Sequence, residues 1–205
     1  MLDPKWDENA AIIQSDASKQ EDVQSLFEQV TSKYGKIDVL FLNAGVAQFA
    51  PWEHHSVENF DHMFEVNVKG PLLAIKYGIP ALNDNASVIV TSSVVNQMGR
   101  PMGSAYAASK AAVAQLVRTA SAELSPRGIR VNAVSPGPVQ TPLLNKTGMS
   151  EEQIQHMIKE TAASVPLGRL GRPEETANVA LFLASDEASY VQGQEYAVDG
   201  GMSVG

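Results

Sequence analysis

The sequence predicts an α/β domain: a parallel sheet covered by helices on both faces. Three observations lead there. Apolar, β-branched runs alternate with amphipathic runs of helical period along the chain, the order that sets strands in parallel. The strand candidates are apolar almost throughout, as expected when both faces are buried. The 205 residues suffice for one domain with one core, and they hold no internal repeat, low-complexity tract or linker.

The elements follow in order. Residues 10–14, Ala10-Ala11-Ile12-Ile13-Gln14, read as a short strand that ends at Asp16. Residues 21–34 read as a helix, with Val23, Leu26, Phe27 and Val30 at helical spacing and Gly35 as its stop. Residues 37–42 are a continuous apolar run and a buried strand. A long helix is expected over 57–82, and a β-branched strand over 86–91. Ser104 is placed to cap a helix over 105–124, which Pro126-Arg127-Gly128 ends. Residues 129–134 are again a strand, and 136–147 a loop rich in Gly and Pro. Ser150 caps a further helix, Pro173 opens another that runs to Ala184, and residues 194–198 form the last strand.

Composition narrows the function. The formal net charge of -8 lacks the basic excess that marks a nucleic-acid footprint. Without cysteine there is neither disulfide nor thiolate chemistry, which fits a cytoplasmic protein. No apolar run reaches membrane-span length, and Met1-Leu2-Asp3-Pro4-Lys5 has no signal-peptide pattern. His54, His55, His62 and His156 show no metal-ligand spacing, so no metal site is expected.

Tyr106 and Lys110 stand four residues apart in a run of helix formers, hence on one helix face. A phenol ordinarily ionises near pH ~10, too high for neutral acid–base work, and a neighbouring ammonium lowers that value. Ser93 closes the β-branched run and can donate a hydrogen bond to the same reacting oxygen. Alone, a Tyr-x-x-x-Lys pair is a weak signal.

The surrounding motifs strengthen it. Leu42-Asn43-Ala44-Gly45, Asn67 within Phe64-Glu65-Val66-Asn67-Val68, Ser135-Pro136-Gly137-Pro138-Val139-Gln140-Thr141, Arg169-Leu170-Gly171-Arg172-Pro173-Glu174-Glu175 and Val198-Asp199-Gly200-Gly201 occur in one order with Ser93, Tyr106 and Lys110. In that order and spacing the chain resembles the short-chain dehydrogenase/reductase family over nearly its whole length. The resemblance implies a Rossmann-like doubly wound sheet forming a single domain over residues 1–205. It implies an oxidoreductase that interconverts a secondary alcohol and a ketone with NAD or NADP. The carbonyl would belong to a 3-oxoacyl, sugar, steroid or similar compound.

By the same resemblance, Asn67, Ser93, Tyr106 and Lys110 are catalytic. Tyr106 is the general acid or base, Lys110 lowers its pKa and holds the nicotinamide ribose, Ser93 orients the carbonyl, and Asn67 holds a water of a proton relay. Asp16, Asn43, Ala44, Gly45, Pro136, Gly137, Val139 and Thr141 join Tyr106 and Lys110 as cofactor contacts. Val94, Asn96, Met98 and residues 143–149 shape the substrate pocket. The family commonly forms homodimers and homotetramers, so a homo-oligomer is expected. Alanines 107, 108, 111, 112 and 114 keep the second long helix slim enough for close approach.

One family feature has no counterpart. No glycine-rich turn follows a first strand, so the fold reads as N-terminally incomplete, by about one βαβ unit of roughly 30 residues. Such a sheet is expected to expose apolar edges, to bind the cofactor weakly on its own, and to give no reading of NAD against NADP. Two alternatives follow: a catalytically inactive shortened form that acts through oligomerisation, and an epimerase or dehydratase of the same superfamily.

Overall fold

Four parallel strands stand side by side in chain order, β1-β2-β3-β4, with helices over both faces. The computed structural model describes residues 10–141 and 150–204. The strands are β1 (Ile37–Leu42), β2 (Leu82–Thr91), β3 (Arg130–Pro136) and β4 (Glu195–Val198). The helices are α1 (Gln20–Tyr34), α2 (Val57–Phe64), α3 (Gly70–Gly78), α4 (Ser104–Leu124), α5 (Glu151–Ala163) and α6 (Pro173–Ala184). Among the described residues, no helix is long and apolar enough to cross a membrane.

The core explains the apolar runs. In β2, Val88 and Val90 pack with Val113, Val117 and Leu124 of α4, while Ile75 of α3 borders the same cluster. Ile89 points the other way, onto Ala180 and Leu183 of α6. The period of two therefore serves two buried faces. Because α3 and α4 cover one face and α6 the other, the last crossover differs in hand from those before it. All of them step the same way along the sheet. Right-handed crossovers are nearly universal, so β3–α6–β4 is the left-handed exception.

Several expectations change. Residues 10–14 form no strand, and Ile12 is exposed. An extended segment becomes a strand only beside a partner, and β1, the edge strand here, pairs only with β2. An apolar cavity of about 360 Å³ lies between Ile13, α1 and β1. Val39 and Phe41 of β1 are exposed along this edge.

The helix expected over 57–82 is broken into α2, a π-helical turn (Glu65–Lys69), α3 and a short 3₁₀ turn (Ile79–Ala81). Pro71 is the cause: it has no N–H for the Asn67 carbonyl four residues back, and its ring crowds that carbonyl. The Gly70 N–H bonds Glu65 O instead, which widens the turn. Ser104 is the first helical residue and not a cap; Gly103 holds the cap position. The Ser150 cap is present, and with Gln153 it completes a capping box. Pro173 stands in the first turn of α6.

Candidate active site

The C-terminal ends of β1, β2 and β3 lie together, because the strands are parallel and in register: Leu42 faces Val90, and Thr91 faces Val134. Ligands of open α/β sheets sit at this edge. It carries Asn43, Ala44 and Gly45 after β1, Ser93 after β2, and Gly137 after β3.

Ser93 begins the 3₁₀ turn Val94–Gln97, and its Oγ donates to the Pro136 carbonyl at 3.4 Å. Tyr106, from the first turn of α4, lines the same cavity as Ser93. Its ring packs edge-on against Phe49, with centroids 5.6 Å apart. Burial raises the Tyr106 hydroxyl above its ordinary pKa, and the neighbouring Ser93 hydroxyl pulls the other way.

Lys110 lies one helical turn further on and is only 4% exposed. Its Nζ donates to Thr91 O at 2.8 Å and sits 5.9 Å from the Tyr106 ring centroid. No carboxylate offsets its burial, which brings the ammonium down to about 8. Burial thus moves the two groups in opposite directions, Tyr106 up and Lys110 down.

Asn67 stands on the π-helical turn, 1% exposed. Its Oδ1 accepts from Val46 N, and its Nδ2 donates to Val46 O, both at 2.8 Å. Nδ2 also reaches Ser109 Oγ at 3.0 Å, and Ser109 Oγ donates to Tyr106 O at 2.7 Å. Asn67 thus ties the loop after β1 to the Tyr106 turn. The wider π turn brings its amide inward, and Ser109 is a partner that spacing did not reveal.

The predicted cofactor residues fall along this edge, though not in one cavity. Pro136, Gly137 and Val139 line a cavity of about 280 Å³ with Ser93 and Tyr106. Asn43 and Ala44 line the 360 Å³ cavity beside β1, together with Ser15 and Ala17. Gly45 lies between them: a Cβ there would meet Asn67 Oδ1 and Lys110 Nζ, each at 3.4 Å. Gly137 must be glycine, since a Cβ would stand 2.7 Å from the Asp199 Cβ. Thr141 closes the described part of that loop, which Gly171 pins through Pro138 O and Gln140 N. Asp16 is an exposed turn residue ahead of α1, its carboxylate taken by Ser18 N and Oγ.

Val94 and Met98 line the Ser93–Tyr106 cavity, as do Met157, Ile158 and Thr161 of α5. Residues 143–149 lie outside the described residues. Asn96 does not line the cavity: its Nδ2 is held by Glu195 at 2.7 Å and approaches Ser92 Oγ at 3.3 Å. Glu195 also accepts from Ser135 Oγ and, at 3.4 Å, from Gln97. This carboxylate of β4 fixes the turn that begins at Ser93, and nothing at its own sequence position signals the role. Glu195→Ala is expected to lower kcat on the order of 10-fold by loosening Ser93, whereas Glu195→Gln, which keeps an acceptor, recovers most of it. Equal losses in both variants, measured by steady-state kinetics, would count against positioning through an acceptor.

The chain is similar to known proteins in both sequence and fold. A family model described as "Enoyl-(Acyl carrier protein) reductase" matches residues 3–203. The chain is 43% identical over 185 residues to the 3-oxoacyl-[acyl-carrier-protein] reductase FabG of Thermotoga maritima, covering 89% of this chain and 72% of that protein. It is 36% identical to 3beta-hydroxysteroid dehydrogenase 1 of Eggerthella lenta, covering 95% of this chain and 74% of the relative. Among solved structures, the ligand-free aldohexose dehydrogenase (AldT) of Thermoplasma acidophilum is similar with a TM-score of 0.91 and 32% identity, covering 100% of this chain and 82% of that one. A variant of a Serratia marcescens short-chain dehydrogenase/reductase gives a TM-score of 0.85 at 30% identity, covering 94% of this chain and 76% of that one.

Proposed function

Because the chain belongs to the short-chain dehydrogenase/reductase family, we propose that it interconverts a secondary alcohol and a ketone with NAD or NADP, through Ser93, Tyr106 and Lys110. One observation carries this reading: a half-buried tyrosine and a buried serine at the sheet's C-terminal edge line one cavity of ligand size.

The residues present fit the nicotinamide end of such a cofactor. Gly45 leaves open the space that a Cβ would fill between Asn67 and Lys110. Lys110 Nζ spends one hydrogen on Thr91 O and has further hydrogens for ribose hydroxyls. Gly45 and Lys110 would hold the ribose, and Pro136, Gly137 and Val139 would flank the nicotinamide. When bound, the cofactor supplies or accepts the hydride.

In the reducing direction, the Tyr106 hydroxyl donates its proton to the carbonyl oxygen as charge develops there. The Ser93 hydroxyl holds the same oxygen by a second hydrogen bond, which strengthens as the oxyanion forms. Lys110, as ammonium, stabilises the resulting phenolate until a solvent proton restores it. In the oxidising direction, Tyr106 is the base.

The test is to supply ketones with NADH or NADPH and follow absorbance loss, alongside a cofactor titration. Turnover with micromolar cofactor binding supports the reading. A folded chain that binds neither cofactor favours the inactive, assembling alternative.

The same reading includes a homodimer or homotetramer. Phe60 of α2, Leu72 of α3, and Ala108 and Ala111 of α4 leave apolar area uncovered on the helices expected to pair. The expected mass at tens of micromolar is at least twice 21.9 kDa. A monomer by light scattering removes this part of the proposal.

A further inference from the structure

The substrate cavity carries one formal charge among its described lining residues, and that charge is Arg100. The other walls are mainly apolar, among them Phe49, Val94, Met98 and Met157. Among the described residues, no carboxylate lines the cavity. Arg100 also differs from every other arginine of the chain. Arg127, Arg169 and Arg172 pair with acids, Arg118 bonds Gln115, and Arg130 bonds backbone carbonyls. Among the six arginines Arg100 alone has no side-chain hydrogen bond or ion pair within the described residues, in a chain with 23 acidic residues against 15 basic ones. Arg100 is exposed at the cavity wall, so water satisfies its guanidinium and the whole fork is free to take an anion there.

The backbone that carries it is fixed. Gly103 N donates to Arg100 O at 3.3 Å, and Ala50 N to Met102 O at 2.9 Å. Met102 is held at φ +66° between them. This turn leads directly into α4 and Tyr106, so the cation and the proton-transfer group share one short rigid segment.

We infer that the substrate is a small keto acid or the matching hydroxy acid: its carbonyl carbon is seated at Ser93 and Tyr106, and its carboxylate is bound by Arg100. The guanidinium fork matches a carboxylate with two parallel hydrogen bonds. The cavity of about 280 Å³ must also admit the nicotinamide beside Pro136, Gly137 and Val139, so the space left suits a short keto acid better than a steroid or a long acyl chain. The inference rests on the oxidoreductase reading above and adds the substrate's charge to it.

The experiment compares keto acids of increasing reach, from 4-oxopentanoate to 6-oxoheptanoate, each with its neutral carboxamide. The readout is the ratio of kcat/KM for acid over amide. For at least one length, that ratio is expected on the order of 10 to 100, falling to near one in Arg100→Met and recovering in part in Arg100→Lys. A ratio near one for every length, or one unchanged in Arg100→Met, overturns the inference while leaving the oxidoreductase reading intact. Saturation-transfer NMR reports binding without turnover. Acid binding that is lost in Arg100→Met, with no reduction by either cofactor, upholds the anion site and overturns the activity. No acid binding and no turnover overturns both.

Discussion

Tyr106→Phe is expected to lower kcat on the order of 100- to 10,000-fold and to leave the fold intact. The change removes one oxygen. The ring keeps its edge-on contact with Phe49, and the Tyr106 carbonyl keeps its bond from Ser109. What is lost is the proton that must reach the carbonyl oxygen; the partners of Ser93 Oγ are backbone groups, the Pro136 carbonyl and the Val95 N–H, and neither is an acid of comparable strength. Thermal unfolding within a few degrees of wild type, with kcat reduced as stated, is the expected pair of results. A variant that keeps more than about a tenth of wild-type turnover removes Tyr106 from the role of acid and base.

Lys110→Met is expected to cost activity and add stability. The ammonium is 4% exposed and its pKa falls from 10.5 to about 8. A shift of that size corresponds to about 3 kcal/mol against the charged, folded form at neutral pH. The lost bond to Thr91 O gives back about 1–2 kcal/mol, so a net gain of about 1 kcal/mol remains. Between pH about 8 and 10.5 the unfolded chain still holds the proton that the folded chain has released. Stability from this group therefore rises with pH across that window, and is lowest below it, where both states are protonated. The variant lacks the group, so its advantage in unfolding free energy should be greatest at pH 7 and should vanish as pH passes through the window. Denaturant unfolding at a series of pH values measures this. A variant less stable than wild type at pH 7 would mean that the bond to Thr91 outweighs the burial. In parallel, cofactor affinity should weaken and the alkaline limb of the pH–rate profile should move; an unchanged profile and affinity would deny Lys110 both roles.

Local pattern made the central constellation legible, and long-range pairing hid the rest. Tyr106 and Lys110 could be matched because helical spacing alone puts them on one face. Ser93 could be placed because it ends a β-branched run. The π turn under Asn67 escaped because the reading followed apolar period and passed over Pro71, whose missing N–H was the available signal. Residues 10–14 have the composition of a strand, but a strand exists only where another pairs with it, and composition carries no knowledge of neighbours. Glu195 and Asn96 meet across 99 residues of chain, and Arg100 matters through what does not pair with it. Neither fact has a local signature.

The left-handed passage from β3 through α6 to β4 also bears on the order in which the molecule assembles. β1, β2 and β3 join through α3 and α4 by local crossovers, whereas β4 reaches β3 only after α5 and α6 have been threaded to the opposite face. The β3–β4 connection is longer than either crossover before it and runs against the common hand, so its contacts are expected to form after the others. β4 should then dock late, and with it Glu195 and the turn that carries Ser93. A substitution such as Ala197→Gly should speed unfolding and hardly change the refolding rate, and catalytic competence should return after helical structure does. Stopped-flow refolding that slows in proportion to the lost stability would instead put β4 in the nucleus. If β4 docks last, the chain can be nearly folded and still inert, and its final strand is the step that makes it an enzyme.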